Sequence, residues 1–377
     1  MIDIPTAQIC TRCVMDTSDP EIEFDANGVC SHCHEFDEVT SKSWFPGPEG
    51  APKLEALLES VRAAGRGREY DCVLGLSGGV DSSILALRAK DWDLRVLAVH
   101  VDAGWNTELA VHNIERIVEH CDFDLHTIVL DWEDVRELQL AYLRSGVSNQ
   151  DVPQDHAFSA GLFRDAADRK IRYVLSGGNI ATESVFPRAW HGWAMDRRNL
   201  RAIHRRFGTE KLRTFPTIGF FRYYVINPYV HRVRVVRPLN YLPYDRDEAV
   251  AELAERVGYK PYGRKHGESQ FTRFFQNHYL PERYGFDKRR PHLSSMILSG
   301  QRTRDEALAE LERPLYEEAE LTGDKAYFEK KLRLAPGQLD ELLEAPRRSH
   351  RDFPNQERRY AALKRLQHVV ERVTRRR

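Results

Sequence analysis

The sequence predicts an α/β protein: a doubly wound parallel sheet in the middle of the chain, a small cysteine module before it, and a mostly helical region after it. Three observations predict this. From residue 71, short, continuously apolar segments alternate with amphipathic helical ones, the pattern of a parallel sheet covered on both faces. Four of the six cysteines fall within the first 33 residues. Beyond residue 240 the apolar positions keep a helical spacing with no further strand pattern.

The size and composition fit this division. A chain of 377 residues holds two or three domains at roughly 150 residues each. With 41% hydrophobic and 30% charged residues it buries a core and is neither disordered nor collagenous. The longest charge-free stretches, 173–182 and 291–301, fall short of the roughly 20 apolar residues that span a bilayer, and the opening MIDIPTAQIC has no basic-apolar leader pattern. The chain reads as cytoplasmic. The reading divides it into 1–50, 51–240 and 241–377.

Net charge is −1, but unevenly placed. Residues 1–50 carry 2 basic and 10 acidic side chains, residues 188–237 carry 12 and 2, and residues 346–377 carry 11 and 3. Two positive regions attract polyanions, among them nucleotide phosphates, acidic sugars and RNA. In 188–237 the arginines are interspersed with Phe207, Phe215, Phe220, Phe221, Tyr223 and Tyr224, which favours a binding role over a merely solvated face.

The opening module reads Cys10-x2-Cys13, sixteen residues, Cys30-x2-Cys33. Each pair sets two thiolates on one tight knuckle, and two knuckles close a tetrahedral shell around a soft divalent ion. Structural zinc is the economical reading, because so short and acidic a segment cannot build its own core. An iron-sulfur cluster, or His32 or His34 as substitute ligands, are the alternatives. The acidic balance favours a bracing or docking role over phosphate-backbone binding. Cys72 lies in an apolar strand and Cys121 ends a helix, and neither has a nucleophile's setting.

Strands are predicted at 71–76, 95–101, 125–130 and 171–175, and helices at 82–90, 107–120, 132–144 and 155–169. After the first strand stands Ser77-Gly78-Gly79-Val80-Asp81-Ser82-Ser83. Two glycines let the backbone turn sharply, and their amides with those of the next helix's first turn form an anion nest. Ser77, Ser82 and Ser83 add hydroxyls, while Asp81 either caps the helix or binds Mg2+. Neither a Walker A loop nor a dinucleotide fingerprint is present. The segment resembles the pyrophosphate loop of the PP-loop ATP pyrophosphatases, which adenylate a substrate and release pyrophosphate. In that superfamily the end of the second strand, here His100 to Asn106 with Asp102, meets the adenosine. The turn Ser176-Gly177-Gly178-Asn179, with Glu183 after it, is similar to the second glycine turn of NAD synthetases but differs at its first two positions. Gly178 and Asn179 are therefore nucleotide candidates, and Glu183 is read as a metal ligand or a helix cap.

The opening CTRCVMDTSDP, the LSGGVDSS loop, and the blocks 262–276 (YGRKHGESQFTRFFQ) and 285–295 (GFDKRRPHLSS) together resemble the N-acetyl sugar amidotransferases of surface-polysaccharide biosynthesis, the WbpG and PseA type. That resemblance spans residues 8–320. It implies conversion of the acetamido group of a UDP- or CMP-linked sugar into an acetamidino group through an O-adenylyl imidate, with ATP and Mg2+ consumed and AMP and pyrophosphate released. Ammonia would come from a separate glutaminase paired with a cyclase-like subunit, both related to the histidine-pathway synthase. By the same resemblance Lys265 reaches the β/γ-phosphates, and His266, Arg273, Lys288 and Arg289 bind the sugar nucleotide.

Two other readings compete. A tRNA-thiolating enzyme of the same fold would use the basic segments for RNA, but needs catalytic cysteines in the nucleotide domain. A non-enzymatic adaptor would have no reason to keep an intact loop. Thr303-Arg-Asp-Glu306 reads as a capping box before basic helical segments to which the sequence assigns no chemistry.

Overall fold

A computed structural model describes residues 8–262 and 267–374. Five strands, β1 (Cys72–Gly75), β2 (Val96–Asp102), β3 (Asp124–Val129), β4 (Tyr173–Leu175) and β5 (Arg234–Val236), form one sheet in the order β3-β2-β1-β4-β5. Every pairing is parallel, with Val73 opposite both Leu97 and Val174. The order reverses between β1 and β4, so the crevice beyond their carboxyl ends is where a ligand can enter between diverging loops.

The helices are α1 (Ser31–Glu38), α2 (Gly50–Gly65), α3 (Val80–Asp91), α4 (Glu108–Cys121), α5 (Trp132–Ser145), α6 (Val152–Asp168), the one-turn α7 (Ile180–Glu183) and α8 (Arg197–Phe207). After β5 come α9 (Arg246–Val257), α10 (Gln270–Phe274), α11 (Leu280–Tyr284), α12 (Arg289–Leu298), α13 (Arg304–Leu311), α14 (Glu318–Leu332), α15 (Gln338–Leu343) and α16 (Glu357–Thr374). None is long and apolar enough to cross a membrane among the described residues.

The period-two alternation of the strands divides the core. Cys72, Leu74, Val96 and Ala98 point to a layer formed with Leu58 of α2, Leu85 of α3, Ile114 of α4 and Leu253 of α9. Val73, Leu97, Val99 and Val174 point the other way, onto Ala160, Phe163 and Ala166 of α6. The continuously apolar strand sequences follow from this two-sided burial. Helix α9, read from the sequence as part of the C-terminal region, packs on α3. Arg88 makes two 2.6 Å hydrogen bonds to Glu252, and Arg256 binds Asp91 at 2.7 Å.

The four expected strands and the four helices between them are present with small shifts at their ends, and β5 is an addition. It has three residues, two of them exposed, inside the basic segment, so neither length nor apolarity marks it. Its backbone alone ties it to β4, through Arg234 N to the Arg172 carbonyl at 2.7 Å and Ser176 N to the Val236 carbonyl at 2.9 Å. The Thr303–Glu306 capping box opens α13 as expected.

Leu74 is fully buried at the centre of β1, whereas Val129 on the edge strand is 71% exposed. Leu74→Ala is expected to cost about 2–5 kcal/mol and Val129→Ala under about 0.5 kcal/mol, read from urea unfolding midpoints at unchanged slope.

Candidate active site

The loop after β1 turns at Gly78, whose φ of +81° lies in the left-handed region that favours glycine. A Cβ there would also stand 3.0 Å from the Ala110 carbonyl oxygen. Tyr259 and Tyr262 both donate to the Gly78 carbonyl, at 3.0 and 2.8 Å, and Asn113 Nδ2 donates to the Tyr262 hydroxyl at 3.1 Å. The loop is thus clamped from behind, with its carbonyl turned away from the cleft. Gly79 is the N-cap of α3 and offers no side chain to it, so the first turn is left uncapped, as an anion-binding helix start requires. Ser77 Oγ accepts from Gly79 N at 3.2 Å and lies 3.2 Å from Ser82 Oγ.

The second glycine turn, after β4, is pressed against this helix start. A Cβ on Gly177 would lie 2.7 Å from the Asp81 carbonyl carbon and 2.8 Å from Ser82 N, contacts that no larger residue can make. Asn179 caps α7 by accepting from Thr182 N at 3.0 Å, and its amide donates to Asp81 Oδ1 at 3.2 Å. The Tyr244 hydroxyl donates to the same oxygen. Burial and the Asp81 charge push the Tyr244 hydroxyl well above its ordinary range, so it remains a donor. Asp81 does not cap α3. Its half-buried carboxylate is held at the mouth of the helix by Asn179 and Tyr244.

A cleft of about 240 Å³ lies between the turns, lined by Ser77, Gly79, Asp81, Gly177, Gly178 and Glu183, with Arg246, Tyr262 and Glu268 across from them. Glu183 faces this cleft, so the helix-cap reading of it is replaced: the cap is Asn179. The cleft shares Ser77, Glu183, Arg246 and Glu268 with a groove of about 1500 Å³ that runs to the C-terminal helices. Its walls include His100 near the end of β2 and Asn106 beyond it, Phe186 just before the basic segment, His191 and Trp193 within it, and His350, Arg351 and Tyr360 near the end of the chain. Lys288 Nζ lies 2.8 Å from His191 Nε2. Burial and the Lys288 charge hold His191 well below its ordinary range, leaving a neutral ring that accepts from the ammonium.

The candidates named from the sequence fall into three groups. Ser77, Gly79, Asp81, Ser82 and Gly178 line the cleft, with Gly78 and Asn179 directly behind it, and Lys288 lines the groove. Four side chains are either buried, as Ser83 is, or occupied elsewhere. Ser83 is fully buried in α3 and faces no cavity. Asp102 Oδ1 accepts from Gly104 N at 2.7 Å and Asn106 Nδ2 at 3.1 Å, so it shapes the turn while Asn106 and His100 reach the groove. The Arg273 guanidinium binds Asp324 at 2.6 Å and Glu320 at 3.2 Å, holding α10 to α14. Arg289, at the groove wall, binds Asp287 and the carbonyls of Glu310, Leu311 and Arg313, closing the end of α13. The partners of Arg273 on α14 and the carbonyls around the end of α13 that Arg289 meets are invisible in the sequence, whereas Asp287 stands two residues from Arg289. Lys265 and His266 lie outside the described residues. Tyr244, Arg246 and Arg237 were missed, because they lie far along the chain with no motif around them. The basic charge near 237 was the one available signal.

Cys10, Cys13, Cys30 and Cys33 are fully buried, with their sulfurs all within 4.8 Å of one another. Three separations of 3.8, 3.6 and 3.7 Å match the edge of about 3.8 Å that a tetrahedron with 2.3 Å zinc–sulfur bonds requires. The donor set therefore fits a single soft ion closed to solvent. His32 and His34 are not ligands: their Nε2 atoms face Asp19 at 2.8 Å and Asp25 at 3.1 Å. The knuckle carbonyls of Cys10 and Cys13 accept from the Arg304 guanidinium at 2.9–3.1 Å, and Val14 is bonded to Ser294 and Arg290. The module thus braces α12 and α13, away from the nucleotide loop. Cys72 and Cys121 are buried, and burial pushes their thiols up, that of Cys121 to about 11.

The sheet order, the clamped loop at the switch point and the second glycine turn define a doubly wound α/β domain with a candidate anion-binding cleft at its switch point. Residues 268–367 match the family described as LPS biosynthesis protein WbpG-like, C-terminal domain, so the helices that close the groove are WbpG-like and the resemblance read from the sequence is borne out. The match extends through the basic segments after Thr303, whose residues the structure places in the groove wall. Among solved structures, the NMN synthetase from Francisella tularensis is 14% identical over 76% of this chain and 97% of its own, with a TM-score of 0.36. The U34-tRNA thiolase NcsA from Methanococcus maripaludis, solved with its [4Fe-4S] cluster, is 14% identical over 87% of this chain and 99% of its own, with a TM-score of 0.32. No curated protein matches the chain.

Two outcomes follow from the geometry. Gly177→Ala is expected to displace the start of α3 at a cost of about 1–3 kcal/mol and to weaken ATP binding at least tenfold, measured by calorimetric titration. Arg304→Ala leaves buried carbonyls unpaired and should lower stability by about 2 kcal/mol while ATP affinity stays the same.

Proposed function

We propose that the protein is an ATP-dependent, AMP-forming amidotransferase that converts an acetamido group of a nucleotide-linked N-acetyl sugar into an acetamidino group in surface-polysaccharide biosynthesis. The observation that carries this reading is the continuity of the loop cleft with a large groove walled by the WbpG-like C-terminal helices. An adenylating loop needs its acceptor beside it, and a groove of this volume takes a sugar nucleotide.

An amide oxygen is a weak nucleophile and cannot leave as it stands. Transfer to the α-phosphorus of ATP makes it part of AMP, a good leaving group, after which ammonia adds to the carbon and AMP departs. Catalysis here is largely placement and charge stabilisation. The uncapped start of α3, with the amides of Gly78 and Gly79 and the Ser77 and Ser82 hydroxyls, holds the departing pyrophosphate. Arg246 faces the loop across the cleft and adds a cation there. His100 and Asn106 lie where the adenosine would meet the end of β2. The hard carboxylate oxygens of Asp81 and Glu183 suit Mg2+, which when bound neutralises phosphate charge. The cysteine centre holds structural zinc. Its sulfur spacing suits one ion, whereas the thiolates of a cubane bind four separate irons and stand farther apart. Lys288, with neutral His191 and Phe186 beside it, serves the sugar nucleotide's phosphates. Ammonia comes from a partner glutaminase with its cyclase-like subunit, because the buried Cys72 and Cys121 are not placed as glutaminase nucleophiles. The same burial speaks against thiolation of tRNA through catalytic cysteines.

The test is incubation with Mg-ATP, ammonium and UDP- or CMP-linked N-acetyl sugars, with nucleotides separated by chromatography and sugars weighed by mass spectrometry. AMP, pyrophosphate and a sugar in which O is replaced by NH are expected. Asp81→Asn should reduce turnover by about 10²–10³-fold with the fold intact. AMP formation that needs tRNA and a sulfur donor would refute the reading. Elemental analysis should give one zinc per chain and no iron.

A further inference from the structure

The floor of the large groove carries a polar constellation that adenylation does not use. Asn149 and Asp151 sit between α5 and α6, and Gln154 and Asp155 lie in the first turns of α6. Thr272 comes from α10 and Lys288 from just before α12, and all six line the groove. Asn149, Asp151 and Gln154 are only 6%, 7% and 3% exposed. Asp151 Oδ1 accepts from Gln154 Nε2 at 3.0 Å and from Thr272 Oγ1 at 3.2 Å, and Asn149 Oδ1 accepts from Asp151 N at 3.1 Å. Asn149 Nδ2 and Gln154 Oε1 then have no hydrogen-bond partner among the described residues.

Both side chains are more than nine-tenths buried and line the groove, so the donor and the acceptor that the protein leaves unspent open onto its interior, where a ligand can take them. Their complement is a group with one acceptor and one donor, which is what a secondary amide presents. The buried carboxyl beside them adds a proton acceptor. We propose that Asn149 and Gln154 hold the carbonyl and N–H of the acetamido group, and that the Asp151 carboxylate takes the proton released when ammonia replaces its oxygen. This assignment rests on the amidotransferase reading above.

The chemistry balances. In the first step the amide oxygen bonds to the α-phosphorus, and the bond to pyrophosphate breaks with its electron pair leaving on pyrophosphate. In the second, the ammonia lone pair bonds to the imidate carbon and the C–O bond breaks with its pair leaving on AMP. One N–H proton is lost and an amidinium cation remains. Asp151 receives that proton, and Asp155 at the groove surface faces the cation. The charged groups acting on Asp151 are Asp155 on its own helix, Glu268 before α10 and Lys288 before α12. Burial and the Asp155 charge hold its carboxyl well above the usual range, the direction that strengthens a carboxylate as a proton acceptor.

The experiment separates the two steps in the full-length protein. Acceptor-dependent exchange of labelled pyrophosphate into ATP reads adenylation, and mass spectrometry reads amidine formation. Asp151→Asn should keep exchange within about tenfold and lose about 10²–10⁴-fold in amidine formation. Asn149→Ala should raise the acceptor KM about tenfold or more. Asp155→Asn, at an exposed position, removes a charge that raises Asp151, so the acid limb of the amidine-forming rate should move to lower pH. A folded Asp151→Asn protein that makes amidine within tenfold of wild type overturns the assignment. If that variant does not fold, an unmoved acid limb in Asp155→Asn or an unchanged KM in Asn149→Ala overturns it. Absence of acceptor-dependent exchange in the wild type with every N-acetyl sugar nucleotide would instead remove the amidotransferase reading itself.

Discussion

The distance at which the turn after β4 can approach the first turn of α3 governs the rest of the site. Gly177 rests on the backbone of Asp81 and Ser82, where even a methyl group would overlap. That contact lets Asn179 reach Asp81 and brings β5 and the chain after it, with Tyr244 and Arg246, to the rim of the cleft. A parallel sheet supplies the crevice at its switch point. The two glycine turns narrow that crevice to a cleft of about 240 Å³.

The cysteine centre solves a different problem. Helices α12 and α13 carry Arg289, Arg290 and Arg304, and their guanidinium groups end on carbonyls and carboxylates of other segments. Such helices have few apolar residues with which to fix their position. In α12 and α13 together, Leu293, Met296 and Ala307 are the buried apolar side chains besides Pro291. A rigid knuckle with outward carbonyls gives Arg304 a fixed anchor, and the groove wall inherits that rigidity.

Legibility from sequence varied with the range of the interaction that decided each feature. The loop 77–83 was legible because glycine and hydroxyl residues at fixed offsets determine a local backbone shape. The cysteine module was legible because four ligands of one ion must converge. Tyr244 and Arg246 were not legible, since each owes its place to a partner tens or hundreds of residues away; Asn149 and Gln154 bond locally to Asp151, and only the packing of α10 and α12 makes their segment part of a groove. Arg273 and Arg289 show the converse. A guanidinium in a family-like block suits a phosphate equally well as a carboxylate, and Asp324 and Asp287 took them.

The sequence by itself determined the class of fold, the position of the glycine loop after β1, the four-cysteine centre and the likeness to the WbpG family that the match over residues 268–367 bears out. These rest on periodicity and on short spacings, which act within a few residues. The tertiary structure alone decided which charged residues face the groove, that the basic segments near both 190 and 350 help form its walls, and that the buried polar residues Asn149, Asp151 and Gln154 line it. Charge and hydrogen-bonding capacity are properties of a side chain, but whether they are spent on the protein or left for a ligand depends on what packing brings within about 3 Å.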